Sequence, residues 1–255
     1  MTNREKYDFD CFTLANYASF LKLAKEQGFS FESFQQGYDE KRKIILWRHD
    51  VEFSPYTALK MAEIEARLGA KATYFFQVHA ETYNLFQRSI SDIVHKVKAL
   101  GHDIGLHFDS HYWGIKDESR LDQCIKTDAD YFEKTLGVEL KSFTFHCTDD
   151  FIKSCTKDSY GGLLNVYSAF FKEKFAYCAD STGFWRYERL HDRLTDHSVH
   201  WLQVLTHDAM WSDAVMSPRR RVFAAINERA RKTEEWYDAT LKIFGAQNID
   251  EDGVL

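Results

Sequence analysis

The chain has 255 residues, 44% of them apolar and 16% aromatic, so it can bury a sizeable core and does not read as a disordered chain. Its formal charge of −6 argues against nucleic acid as the main partner, because phosphate binding needs a concentrated basic face. Five scattered cysteines without a CxxC pair are the usage of a reduced compartment, not of a disulfide framework or a thiolate zinc site.

The stretch Met1–Asp8 is polar where a signal peptide needs an apolar segment, and no run of about 18 apolar residues follows. The expectation is a cytoplasmic protein without a membrane span. Ile44–Trp47 reads as a buried strand. Ser54 then caps a helix with Pro55 at its first position, running through Ala58, Met61, Ile64 and Leu68 to Gly69. A strand at 72–76 and a helix at 89–100 follow, the helix ending at Gly101. Residues 103–108 predict a third strand, 117–136 a helix and 142–145 a fourth strand. Short strands are expected near 175–177 and 185–187, a further strand at 201–205, and a long helix over 218–244. Arg219, Arg220 and Arg221 fall in its first turn and read as a solvated face. The acidic tail from Asp250 to Leu255 is expected to fray. With no Gly/Ser-rich linker and no internal repeat, one domain over 1–255 is the simplest account.

Alternating strands and helices predict parallel strands with crossover helices, and in such folds chemistry collects at the carboxyl ends of strands. Three groups sit at such ends. In Arg48-His49-Asp50-Val51-Glu52 the two acids are two residues apart, so extended backbone points both to one side. One can bind a metal while the other takes a proton; a capping acid beside an exposed Glu accounts for the pair about as well. His107 and His111, four residues apart at the end of the third strand, can converge on zinc, nickel or cobalt, although two surface histidines are an alternative in a chain with 11. His207 follows another buried strand, where it can serve as a general acid oriented by Asp208 or another carboxylate, or be a satisfied structural histidine. Arg48, His146, Asp180, Trp185 and Arg186 are candidates to line a substrate cleft. His79, His95 and His102 read as structural or exposed. No phosphate loop, GxGxxG or GxSxG elbow occurs.

The order strand, Asp-x-acid, strand and helix, then Gly-His-Asp-Ile-Gly-x-His-x-x-x-His, resembles the polysaccharide deacetylase family (the NodB-homology, carbohydrate esterase family 4 group) over roughly residues 44 to 211. The resemblance implies an α/β fold, a distorted (β/α) barrel of about seven parallel strands. It implies Asp50 as catalytic base, Glu52 with His107 and His111 as ligands of a divalent metal, zinc foremost with nickel or cobalt as alternatives, and His207 as general acid. Val51 separates the two acids that the family motif places side by side, and Glu52 stands where the family has Asp. The family's Arg-x-Pro motif is absent; Phe143-Thr144-Phe145-His146 occupies the comparable strand end. The expected activity is removal of an N-acetyl or N-formyl group from a small or carrier-linked sugar, in surface-polysaccharide or O-antigen synthesis. The alternative is an inert barrel that binds metal or carbohydrate. Oligomeric state is left open.

Overall fold

The computed structural model describes residues 1–35, 37–250 and 253–254. Nine strands form one sheet: β1 (Ser30–Phe31), β2 (Ile44–Val51), β3 (Thr73–Phe76), β4 (Asp103–Phe108), β5 (Ser142–Phe145), β6 (Ser159–Tyr160), β7 (Leu163–Asn165), β8 (Ala176–Ala179) and β9 (Trp201–His207). The order is β6-β7-β5-β4-β3-β2-β9-β8, with β1 on the start of β2. Every pairing is parallel except β6 with β7. The sheet is a curled, mostly parallel half-barrel, as the α/β barrel expectation requires, with eight parallel strands where about seven were expected.

The period of two along each strand sorts its residues into two layers. In β2, Ile45, Trp47 and Val51 join a large apolar core with Ala58, Met61, Val94, Ile125 and Phe132 from the covering helices. Ile44 and Leu46 face the other way, into a smaller cluster with Phe34, Phe75, Phe171 and Phe175. This smaller cluster packs on the inner face of the sheet, from Ile44 at the start of β2 to Phe75, the register partner of Asp50. Arg48 and Asp50 continue the same inner row toward the carboxyl end, so alternation alone delivers them to the concave face.

The covering helices follow their local signals closely. Pro55–Arg67 begins with Pro at its first position and with Ser54 accepting from the Thr57 N–H at 3.1 Å. Arg88–Ala99 is followed by Gly101 at φ +96°, a left-handed conformation that glycine adopts without a Cβ clash. Leu121–Leu136 is shorter than expected at its start, because Glu118–Arg120 forms a 3₁₀ turn capped by Asp117. Gly105 has a different reason to be glycine: a Cβ there would lie 2.3 Å from the Phe75 ring, which occupies its space at the centre of the sheet.

Two expectations fail. Residues 185–187 form no strand; Trp185 instead stacks among Phe12, Phe20 and Trp211. The arginine triplet is not wholly solvated either. Arg219 and Arg220 are exposed, but Arg221 is buried and its guanidinium donates to the carbonyls of Met210, Met216 and Gly183. It lies over the Phe12 ring at 4.8 Å. A charge buried among carbonyls alone is costly, and burial pushes its pKa down to about 10. In the acidic tail Ile249–Asp250 pairs with Gly253–Val254, while Glu251, Asp252 and Leu255 lie outside the described residues.

Candidate active site

Asp50, Glu52, His107 and His207 line one cavity of about 980 Å³ at the carboxyl ends of β2, β4 and β9. Its walls are strongly aromatic, with Phe53, Phe145, Tyr167, Phe175, Tyr177 and Tyr187. Aromatic faces suit the apolar faces of a small or sugar-like ligand, and a few convergent polar groups at one end fix its orientation.

At that end three potential metal ligands converge, Glu52, His107 and His146. His107 Nε2 lies 3.1 Å from Glu52 Oε1, His146 Nδ1 lies 2.9 Å from the same oxygen, and the two imidazole nitrogens are 3.3 Å apart. Zinc bonds to such ligands at about 2.0–2.2 Å, so the edges of a tetrahedral site are about 3.3–3.5 Å. One separation lies on that range and the other two are about 0.2 and 0.4 Å shorter, so the donors would move apart slightly to take the ion. The donor set, one carboxylate and two imidazoles, is also one that catalytic zinc accepts. The residues therefore fit a divalent ion.

The surroundings hold each donor in place. His107 Nδ1 is 2.6 Å from Thr144 Oγ1, on the neighbouring strand, which fixes the ring and leaves Nε2 for the site. The Thr144 hydroxyl in turn donates to Asp50 Oδ1 at 3.4 Å. The Glu52 arm is clasped through its backbone. Its N–H donates to Asp208 Oδ1 at 2.8 Å, and the N–H groups of Phe53 and Ser54 donate to the same carboxylate. Its carbonyl accepts from the Thr82 hydroxyl. Burial would raise the Glu52 carboxyl, but hydrogen bonds from His107 and His146 and the charge of His207 hold it well below the usual range. Glu52 is therefore anionic at neutral pH, as a metal ligand must be.

Asp50 lies just behind this triad, with Oδ2 3.9 Å from His107 Nδ1 and 3.6 Å from Arg48 Nη2. Arg48 is wholly buried beneath it, not in the cavity wall. Its Nη2 donates to the Tyr167 hydroxyl at 3.0 Å, its guanidinium stacks 4.8 Å from that ring, and Nε and Nη1 have no partner. Burial works against its charge, yet Asp50 and Tyr167 outweigh that and hold it above the ordinary arginine value. Arg48 therefore acts on Asp50 and does not reach a ligand.

Across the cavity, His207 Nδ1 is 2.6 Å from Asp180 Oδ1. Asp180 also accepts from the His207 N–H and from Trp211 Nε1, both at 2.9 Å, and is fully buried. Burial would depress His207, but the charge and hydrogen bond of Asp180, with Glu52 and Asp50 beyond, push it up to about 10. The imidazole is thus protonated at neutral pH, with Nε2 as the nitrogen free to donate.

Several further sequence-based assignments shift. His111 does not join the triad: it is exposed, and its Nε2 lies 3.1 Å from the Cys147 carbonyl. His146, expected in the cleft wall, takes the place beside Glu52 and His107. The reason is tertiary, because β4 and β5 pair with Phe108 opposite Phe145 and so bring the two strand-end histidines together. Of the two alternatives for orienting His207, Asp208 or another carboxylate, the second holds: Asp180 does so, and Asp208 caps the Glu52 turn. Trp185 and Arg186 belong to a separate surface hollow with Lys6 and Arg189, so neither lines the site cavity. A buried network goes unmarked in the sequence: Glu65 accepts from His49 at 2.6 Å and from the Tyr17 and Tyr74 hydroxyls, with His102 nearby. Its members are scattered along the chain, and no spacing pattern marks them.

No family model matches the sequence, and no curated protein matches it. The structural neighbours are family 4 carbohydrate esterases and polysaccharide deacetylases at low identity. A family 4 carbohydrate esterase from Bacillus anthracis is 16% identical, with 84% of this chain and 86% of that one covered and a TM-score of 0.43. The peptidoglycan deacetylase PdaC from Bacillus subtilis is 14% identical over 81% and 98%, at 0.45. The family 4 pseudoenzyme BA3943 from Bacillus anthracis is 11% identical over 76% and 63%, at 0.42. At these scores the likeness says nothing of turnover, and the case for chemistry rests on this chain's own residues.

Proposed function

We propose that this chain is a divalent-metal-dependent amide hydrolase that removes an N-acetyl or N-formyl group from a sugar or a related small amide. The observation that carries the reading is the convergence of Glu52, His107 and His146 in a cavity that Asp50, Glu52, His107 and His207 line, with His207 held by the buried Asp180. Glu52, His107 and His146 would hold the ion, and zinc is the one we favour, with nickel or cobalt as alternatives. When bound, such an ion polarises an acyl carbonyl and makes water more acidic.

The protein's own groups then divide the proton work. Asp50, an acceptor fixed by Arg48 and Thr144, takes a proton from water as its oxygen forms the new C–O bond. His207, protonated and held through Nδ1 by Asp180, gives a proton from Nε2 to the nitrogen as the C–N bond breaks. The products are a free amine and the short carboxylic acid. We favour a nucleotide-linked or lipid-linked sugar as substrate and a role in surface-polysaccharide synthesis.

The test is a metal measurement on untagged protein beside His107→Ala/His146→Ala, followed by a screen of N-acyl and N-formyl sugars with Asp50→Asn as control. About one divalent ion per chain, lost in the double variant, with amine released only by proteins that keep Asp50, is the expected result. Protein that takes up no zinc, nickel or cobalt would overturn the reading.

A further inference from the structure

The terminal helix, Pro218–Ile243, has 26 residues, about 39 Å of axis at 1.5 Å per residue. Only its first turns are anchored. Arg221 and Ala225 are buried, Glu228 accepts from Ser54 Oγ at 3.0 Å, and Arg229 donates to Gln87 at 2.6 Å. These four lie on one face. From Thr233 to Ala239 every residue is exposed, so the second half of the helix runs clear of the core.

A solvated helix should be polar all round, and this one is not. Phe223, Ile226, Ala230, Thr233, Tyr237 and the cap residue Phe244 recur at steps of three and four, with Thr240 completing the last interval. At about 100° per residue they form a stripe turned roughly 120° from Ala225, away from the anchored face. Its large members are open to solvent: Phe223 is 46% exposed, Ile226 49%, Tyr237 51% and Phe244 79%. Alternating steps of three and four are the seam pattern of two helices packed knobs into holes.

We propose that this stripe is the seam of an antiparallel two-stranded coil formed with the same helix of a second copy of this chain. Charge selects both the partner and the direction. Away from the anchored face, residues 219–232 carry four basic side chains, Arg219, Arg220, Arg231 and Lys232, and no acidic one, whereas 233–244 carry three acidic and one basic. An antiparallel pair sets each basic half against the acidic half of its partner; a parallel pair sets like against like. A two-fold pair also lets one stripe cover an identical one, which closes the assembly at two copies. The proposal does not depend on the hydrolase reading.

Sedimentation equilibrium on the full chain tests it, beside Ile226→Glu/Tyr237→Glu. Both side chains are exposed, so the variant should keep the wild-type far-ultraviolet circular dichroism, while its melting temperature should fall only by what the dimer contributes. The expected result is a concentration-dependent dimer that becomes monomeric in the variant and weakens with salt. A chain that is monomeric at every concentration, a dimer that survives the substitutions, or a monomer that instead binds anionic vesicles through this helix overturns the proposal. Direction is read by disulfide formation in a Cys147→Ser background. Thr233→Cys, near the centre of the stripe, should link to its own copy and Phe223→Cys should not; a fast Phe223→Cys self-link overturns the antiparallel arrangement.

Discussion

Asp50 and His207 are register partners on adjacent parallel strands, β2 and β9. Neighbouring strands lie about 4.8 Å apart, so the sheet ladder, not a loop, sets the spacing of the proposed base and acid. Substitution at either should therefore alter chemistry without altering how substrate sits. For Asp50→Asn and His207→Gln the expected loss is roughly 10²–10⁴-fold in kcat with little change in KM. Steady-state kinetics on a released amine would check it, and a large rise in KM with kcat intact would count against these roles.

His207 should titrate far above an ordinary histidine. Its folded value is about 10, against about 6.5 in an unfolded chain. The sign follows from the raised value: the charged pair with Asp180 contributes fully below about 6.5, and its contribution is lost as pH rises through about 10. Imidazole resonances of metal-free protein, followed by NMR, should move near pH 10, and Asp180→Asn should bring that titration down. A His207 that titrates near 6.5 in the wild-type protein would contradict the geometry.

The two late histidines should separate cleanly. His146→Ala removes a donor that lies 2.9 Å from Glu52, whereas His111→Ala removes one that faces the Cys147 carbonyl. We expect the first to lower metal affinity at least about 10-fold and the second to change it little. Calorimetric titration of both variants with zinc decides between them. The reverse order would return His111 to the place that the HxxxH spacing gives it.

Asp208 should matter to stability and to metal together. It is buried and accepts the N–H groups of Glu52, Phe53 and Ser54. Asp208→Ala leaves those donors without their acceptor, at a cost of about 1–3 kcal/mol, and loosens the Glu52 arm. Chemical denaturation and zinc titration should both register the change. A variant with wild-type metal affinity would show that the clasp supports only the fold.

How far the sequence could be read depends on the range of the interaction involved. The alternation that puts Ile44, Leu46, Arg48 and Asp50 on one face is local, and so are the Ser54-Pro55 cap and the Gly101 stop; all were legible. Asp50, Glu52, His107 and His207 were legible as strand-end residues, because a parallel sheet gathers such ends without further information. His146 in the triad was not, since its partnership with His107 exists only through the β4–β5 pairing. Asp180 and Asp208 were each visible, but which of them meets His207 depends on where β8 lies, and nothing local to either residue records that. The Glu65 network and the inward turn of Arg221 were hidden for the same reason.

The late strand β9 sits in the sheet beside the early strand β2, and Asp208 just after it closes on the turn that carries Glu52. A chain still emerging from the ribosome has β2 to β5, and with them Glu52, His107 and His146, long before it has β9. Until residue 208 arrives, the central strand lacks a neighbour and the metal-binding turn lacks its clasp. During synthesis the frame of the site is therefore complete only once residue 208 has been added, and a product shortened before β9 would carry the three donors without the strand and the carboxylate that frame them.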